Sequence, residues 1–81
     1  MIGGNRMSKQ EIRLGNIEGA KEFVAAASNC DFDIDVYFNK VVLDAKSILG
    51  ILSLDHRNVV TVSYDGNDKQ FSDVVAKYAV N

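Results

Sequence analysis

The clearest pattern in the chain is Asp31-Phe32-Asp33-Ile34-Asp35-Val36-Tyr37-Phe38, where Phe32, Ile34, Val36 and Phe38 alternate with three aspartates and a tyrosine. A period of two sends alternate side chains to opposite faces of a strand, here one buried and one wet. Asn39-Lys40 turns the chain, and Val41 to Asp44 reads as the returning strand of a hairpin. Val59 to Tyr64 is a β-branched strand, and Lys9 to Leu14 alternates weakly, with Ile12 and Leu14 on one side and Glu11 and Arg13 on the other. Elsewhere the period becomes helical. Asn16 offers a capping oxygen to a first helix in which Ile17, Ala20, Val24 and Ala27 share a stripe beside Phe23. Ser47 is the cap of a short apolar helix carrying Ile48, Leu49, Ile51, Leu52 and Leu54, interrupted by Gly50. Asp65-Gly66-Asn67-Asp68 is a turn and cap, after which Phe71, Val74, Val75 and Tyr78 line one face of a third helix.

The order is therefore β-α-β-β-α-β-α. Strands with one wet face and helices with one apolar stripe bury everything only when all helices lie on one side of the sheet. The expected fold is an α+β open-faced sandwich, a four-stranded antiparallel sheet with three helices on one face. Phe32, Ile34, Val36, Val60 and Val62 should sit under the helices, with Asp31, Asp33 and Asp35 facing water. Residues 1–8 read as an N-terminal tail, with Met1 to Met7 an expression remnant or alternative start, and 9–81 as one domain.

Composition narrows the class. Eighty-one residues support a single core, and 47% apolar with 25% charged residues is the mixture of an ordinary globular protein. Nine basic side chains against eleven acidic give a net charge of −2, with no electrostatic case for nucleic acid. Through Arg13 there are three basic residues and one acidic, against six and ten in the rest, so the basic character sits in the tail. No apolar run is long enough for a membrane, and the lone Cys30 fits a reducing compartment, so the expected location is the cytoplasm. One His and one Cys make a zinc cage implausible, and no cofactor is expected.

Lys46-Ser47-Ile48-Leu49-Gly50 resembles the regulatory-serine segment of the HPr-like family, the histidine-containing phosphocarriers of the bacterial sugar phosphotransferase system, in which a Lys-Ser-Ile-Met-Gly run opens the second helix. The likeness extends to Phe23 to Ser28, Asp33 to Leu43 and Val60 to Asp65, covering residues 10 to 80. It implies the same sandwich, a cytoplasmic carrier rather than an enzyme, and protein partners. The family's carrier motif, Gly-Ile-His-Ala-Arg-Pro-Ala, corresponds here to Gly15-Asn16-Ile17-Glu18-Gly19-Ala20. The phosphorylated histidine falls on Asn16, or on Ile17 with a loop one residue shorter; the phosphoryl-pairing arginine falls on Glu18 and the proline on Gly19. Asn16, Ile17 and Glu18 thus form a degenerate site, without imidazole and with a carboxylate in place of a cation. Asn16→His alone is not expected to restore carriage; adding Glu18→Arg and Gly19→Pro is expected to help.

The resemblance makes Ser47 a candidate for regulatory phosphorylation, although capping alone also accounts for a serine there. It makes Ile48, Leu49 and Leu52 a partner-docking patch, against which stands ordinary core packing. His56 is the only nitrogen that could serve as a relocated phosphoacceptor; a loop histidine between Asp55 and Arg57 is otherwise just solvated. Asp31, Asp33 and Asp35 lack the glycine turn and distal glutamate of a calcium loop. The expected function is a non-catalytic regulator or adaptor that binds phosphotransferase-system proteins, a serine kinase or a transcriptional regulator. A carrier acting through His56 and a generic small protein-binding module are the alternatives, and the oligomeric state is left open.

Overall fold

The buried side of the sheet is set by the valines and isoleucines of alternating strands. The structure, a computed structural model, describes residues 7–80. Its elements are β1 (Ser8–Ile12), α1 (Ile17–Ser28), β2 (Ile34–Phe38), β3 (Val41–Asp44), α2 (Ile48–Leu52), β4 (Val60–Tyr64) and α3 (Lys69–Tyr78). The strands form one antiparallel sheet in the order β1-β4-β2-β3. This is the sandwich expected from the sequence. Ser8, assigned to the tail, is instead the first residue of β1, opposite Tyr64; the rest of the expected tail, residues 1–6, lies outside the described residues.

Ile12, Ile34, Val36, Val60 and Val62 are buried against Ala20, Phe23, Val24 and Ala27 of α1 and Phe71, Val74 and Val75 of α3. A chain of rings ties the layers together. Phe23 of α1 meets Phe71 of α3 at 5.8 Å between centroids, Phe71 meets Tyr64 of β4 edge-on at 5.1 Å, and Tyr64 stacks on Phe32 at 5.9 Å. Such contacts add about 0.5–1.5 kcal/mol each beyond the area they bury.

Three expectations are corrected here. Phe32 and the flanking aspartates do not open β2, which starts at Ile34. The partner strand β4 ends at Tyr64, so nothing remains for residues 31–33 to pair with. Phe32 instead closes over the turn at Gly66, half-buried, with its ring where a side chain at 66 would be. Asp31 and Asp33 are exposed as expected and Asp35 is half-buried. Ile17 does not join the apolar stripe of α1; it is 54% exposed, because the first turn of the helix projects past the layer that covers Ala20 onward. The second helix also stops short of Leu54, capped at Ser53, whose Oγ donates to the Gly50 carbonyl at 2.5 Å.

Caps end the elements where the sequence places them. Asp68 accepts from the Phe71 N–H at 2.9 Å to begin α3. Past α1, Cys30 is 6% exposed; its Sγ donates to the Ala26 carbonyl at 3.5 Å and its own carbonyl accepts from Lys46 Nζ at 2.8 Å. Burial pushes the thiol pKa up. α1 and α3 are joined at the surface by Glu22, which accepts from Tyr78 Oη at 2.5 Å and from Lys77 Nζ at 3.0 Å.

Gly66→Ala should destabilise the fold by about 1–3 kcal/mol, because the new methyl displaces the Phe32 ring from Tyr64. In urea unfolding the loss should be smaller when Phe32→Ala is already present; an equal loss in both backgrounds would contradict the contact. The Glu22 carboxyl is held below its usual range, chiefly by the Tyr78 hydroxyl and then by Lys77. A lowered carboxylate adds stability at pH values above its unfolded pKa, and loses it as pH falls through its folded one. Wild type should therefore exceed Glu22→Gln in urea midpoint at pH 7, with the gap closing below about pH 4.

Candidate functional site

After β1 the chain reaches α1 through Arg13, Leu14 and Gly15. Leu14 is buried, fixing the depth of the segment, and Gly15 sits at φ 83, a left-handed conformation that favours glycine. The Gly15 N–H donates to the His56 carbonyl at 2.8 Å, and Arg13 Nε donates to the Arg57 carbonyl at 3.2 Å. Residues 13–15 and the loop 55–58 are thus sewn together through backbone carbonyls. These bonds leave no mark in the sequence beyond the Gly15-Asn16 turn.

Asn16 is the N-cap of α1, and its Oδ1 accepts from the Gly19 N–H at 2.8 Å. The cap consumes one of the donors that a helix start offers to an anion. Glu18 is exposed in the first turn, where its charge suits the helix dipole and disfavours a second negative group. Gly19 is buried against the Leu14 carbonyl and Tyr78, and a β-carbon there would run into that carbonyl. This corrects the expected Gly19→Pro exchange: proline would bring the β-carbon and remove the N–H that Asn16 caps. Asn16, Glu18 and Gly19 form a locally consistent helix start of their own.

His56 is half-buried, and its Nε2 donates to the Ile51 carbonyl at 3.2 Å. Since a carbonyl only accepts, the ring proton sits on Nε2 in the neutral form and Nδ1 carries the lone pair. The crevice beside it, between Leu14, Leu54, Asp55, His56, Asn58 and Val60, measures about 10 Å³, room for one water at most. Asp55 is bound by Arg57 at 3.0 and 2.8 Å, which lowers its pKa to about 2 and occupies both charges.

On α2 the structure places Ser47 as N-cap, exposed, with Oγ accepting from the Gly50 N–H at 3.3 Å. Ile51 is fully buried and anchors the helix, Leu52 is half-buried, and Ile48 and Leu49 are 39% and 81% exposed. α2 packs on α1. The Lys46 ammonium is turned to the Cys30 carbonyl. Among the described residues no three His, Cys, Asp or Glu side chains converge on a point that could hold a metal, and no helix is long and apolar enough to cross a membrane.

Comparison with known proteins agrees with this geometry. The family model described as PTS HPr component phosphorylation site matches residues 17–78. Among solved structures, the phosphocarrier protein HPr from Bacillus anthracis str. Ames superposes with a TM-score of 0.71 at 23% identity, over 91% of this chain and 99% of that one. HPr-C-His from Thermoanaerobacter tengcongensis gives 0.67 at 30% identity, over 90% and 93%. No curated protein sequence matches the chain significantly. The family model spans most of the domain and the solved HPr structures share its whole fold, so the chain belongs to the HPr family, the phosphocarrier proteins of the sugar phosphotransferase system.

Proposed function

We propose that this HPr-family chain has given up phosphoryl carriage and acts as a non-catalytic regulatory or adaptor protein, docking on partners through Ile48, Leu49 and Leu52 and switched by phosphorylation of Ser47. One observation carries the reading: the start of α1 is closed by the Asn16 side chain on the Gly19 N–H, with Glu18 beside it. An acceptor there would need an unprotonated ring nitrogen and a cation to hold the phosphoryl group. Asn16 supplies an amide and Glu18 repels.

The docking half of the proposal rests on α2. Leu49, at 81% exposure, has no packing role, and Ile48 beside it is open to solvent. Ser47 precedes them at the positive end of the helix, where a phosphate is tolerated. Partners of matching chemistry are phosphotransferase-system proteins presenting an apolar surface, or a serine kinase or transcriptional regulator that reads the phosphoserine with basic side chains. Since Lys46 is bonded to the Cys30 carbonyl, the new charge at Ser47 would be left for the partner's cations to neutralise.

With phosphoenolpyruvate and the system's first enzyme, the protein should gain no acid-labile phosphoryl group by mass spectrometry, while an ordinary HPr in the same tube is fully modified. A stoichiometric gain would overturn the proposal, and mapping it to His56 would establish the alternative carrier.

With an HPr-type serine kinase and ATP, Ser47 should take up one phosphate, and Ser47→Ala none. Phosphorylation should strengthen a partner with an Arg or Lys cluster by about 1–3 kcal/mol and weaken one that docks only on Ile48 and Leu49, both read by titration calorimetry. Ser47→Ala should cost about 0.5–1 kcal/mol in urea unfolding through the lost cap, so stability and switching are separately measurable. An unmodified wild type beside a modified HPr control would leave Ser47 as a cap only.

A further inference from the structure

β1 and β3 are the two edges of the sheet, and they are finished differently. Along β1, Ile12 bridges Ala79, the Val80 N–H donates to the Glu11 carbonyl at 2.9 Å and the Arg13 N–H to the Tyr78 carbonyl at 3.0 Å. β3 has no such cover among the described residues.

Its free groups follow from the register. Phe38 and Val41 flank a two-residue turn and exchange hydrogen bonds, as Val36 and Leu43 do, so the amide groups of Val42 and Asp44 point away from β2. Ala45, next in the inward set, confirms the phase by donating to the Ile34 carbonyl at 2.9 Å. The Asp44 carbonyl accepts from the Ser47 N–H at 2.9 Å; the Val42 N–H and carbonyl and the Asp44 N–H remain open along the edge among the described residues.

The central side chains do not protect this edge. Monomeric proteins blunt an open strand with charge, proline or a bulge, whereas Val41 and Val42 of β3 are 48% and 54% exposed, with Tyr37 at 41% beside Val42 on the open face. Two charges there lack an opposite charge among the described residues. Asp44, whose Oδ1 accepts from the Lys46 N–H at 2.9 Å, stands directly across from Asp35, a like-charge pair, and Lys40 at the turn has no carboxylate partner.

We infer that β3 pairs with β3 of a second copy of this chain, antiparallel about a two-fold axis through Val42. That register sets Val42 against the partner's Val42 with both of their outward groups hydrogen-bonded, and lets the Asp44 N–H donate to the carbonyl of the partner's Lys40. It also places Lys40 opposite the partner's Asp44 on the open face, twice by symmetry, which offsets the repulsion between Asp35 and Asp44. Tyr37 and Val42 of both copies become one apolar strip across an eight-stranded sheet. The edge is short, well below the ~1,200 Å² of a stable interface, so the pairing is reversible, with a dissociation constant on the order of 100 µM.

Sedimentation velocity between about 10 µM and 1 mM should show wild type moving from monomer to dimer across that range. Lys40→Glu and Asp44→Lys, each alone, should remain monomeric at the top concentration because like charges then face each other. An equimolar mixture of the two should dimerise. In one half of that mixed interface the new acid at position 40 meets the new base at position 44, and in the other half the native Asp44 of the first variant meets the native Lys40 of the second. Val42→Lys, at an exposed position, should abolish the dimer and leave the circular dichroism spectrum intact; it serves as the test if Asp44→Lys does not fold. A wild type that stays monomeric, single variants that still dimerise, or a mixture that does not recover would each overturn the inference.

Discussion

Phe71 is the residue through which the two layers of this protein are joined. It is fully buried and touches Phe23 on one side and Tyr64 on the other, and Tyr64 in turn carries Phe32. A sheet this small has little area with which to hold three helices, and one of them, α2, contributes a single fully buried side chain, Ile51. Large rings bury roughly 150–250 Å² each, so four of them in contact supply much of the cohesion that an 81-residue chain needs. The rings also fix where the chain can turn: Phe32 closes on Gly66, which sets the end of β4 and the start of α3 in one place.

That arrangement frees the opposite end of the molecule from structural duty. The start of α1, the loop at His56 and the exposed side of α2 hold themselves by capping and backbone bonds rather than by core packing. These are the parts to which the resemblance assigns the family's motifs, matched at Lys46 to Gly50 and departed from at Asn16 to Gly19, while the fold is kept. Asn16, Glu18 and Gly19 do not leave a damaged site behind. Each fits its neighbours: the amide caps, the carboxylate meets the positive end of the helix, and the glycine admits the Leu14 carbonyl. This mutual fit supports the proposed loss of carriage, and it makes replacing these residues one at a time structurally awkward.

The element order, the hairpin and all three caps were legible because each rests on local physics: a period of two at Ile34 to Phe38, a period of 3.6 at Phe71 to Tyr78, and side-chain oxygens at Asn16, Ser47 and Asp68. Phe32 misled because its period continued past the end of the partner strand, and strand length is fixed by the neighbour, not by the run itself. Ile17 misled because a helical stripe says which face is apolar but not where the sheet beneath it stops. In the candidate site, the correspondence of 16, 18 and 19 to the family's motif rests on the resemblance, and the structure adds how these residues fit their neighbours. The tie between Gly15 and His56 was not, since it runs through a carbonyl that every residue has. The same holds for the close approach of Leu14 to Gly19, which a lone glycine in a helix does not announce.

The position of Cys30 has a use of its own. The thiol lies where α1 ends, enclosed by the core and bonded back to Ala26, and the chain there is fastened to the turn before α2 by Lys46 on the Cys30 carbonyl. A reagent can meet the sulfur only when the end of α1 and the approach to β2 part from each other, and burial keeps the reactive thiolate scarce until they do. The rate at which a thiol label is taken up under native conditions is therefore a clock for that one opening. It reads the motion at the junction between helix and hairpin, separately from global unfolding, without any residue having to be introduced.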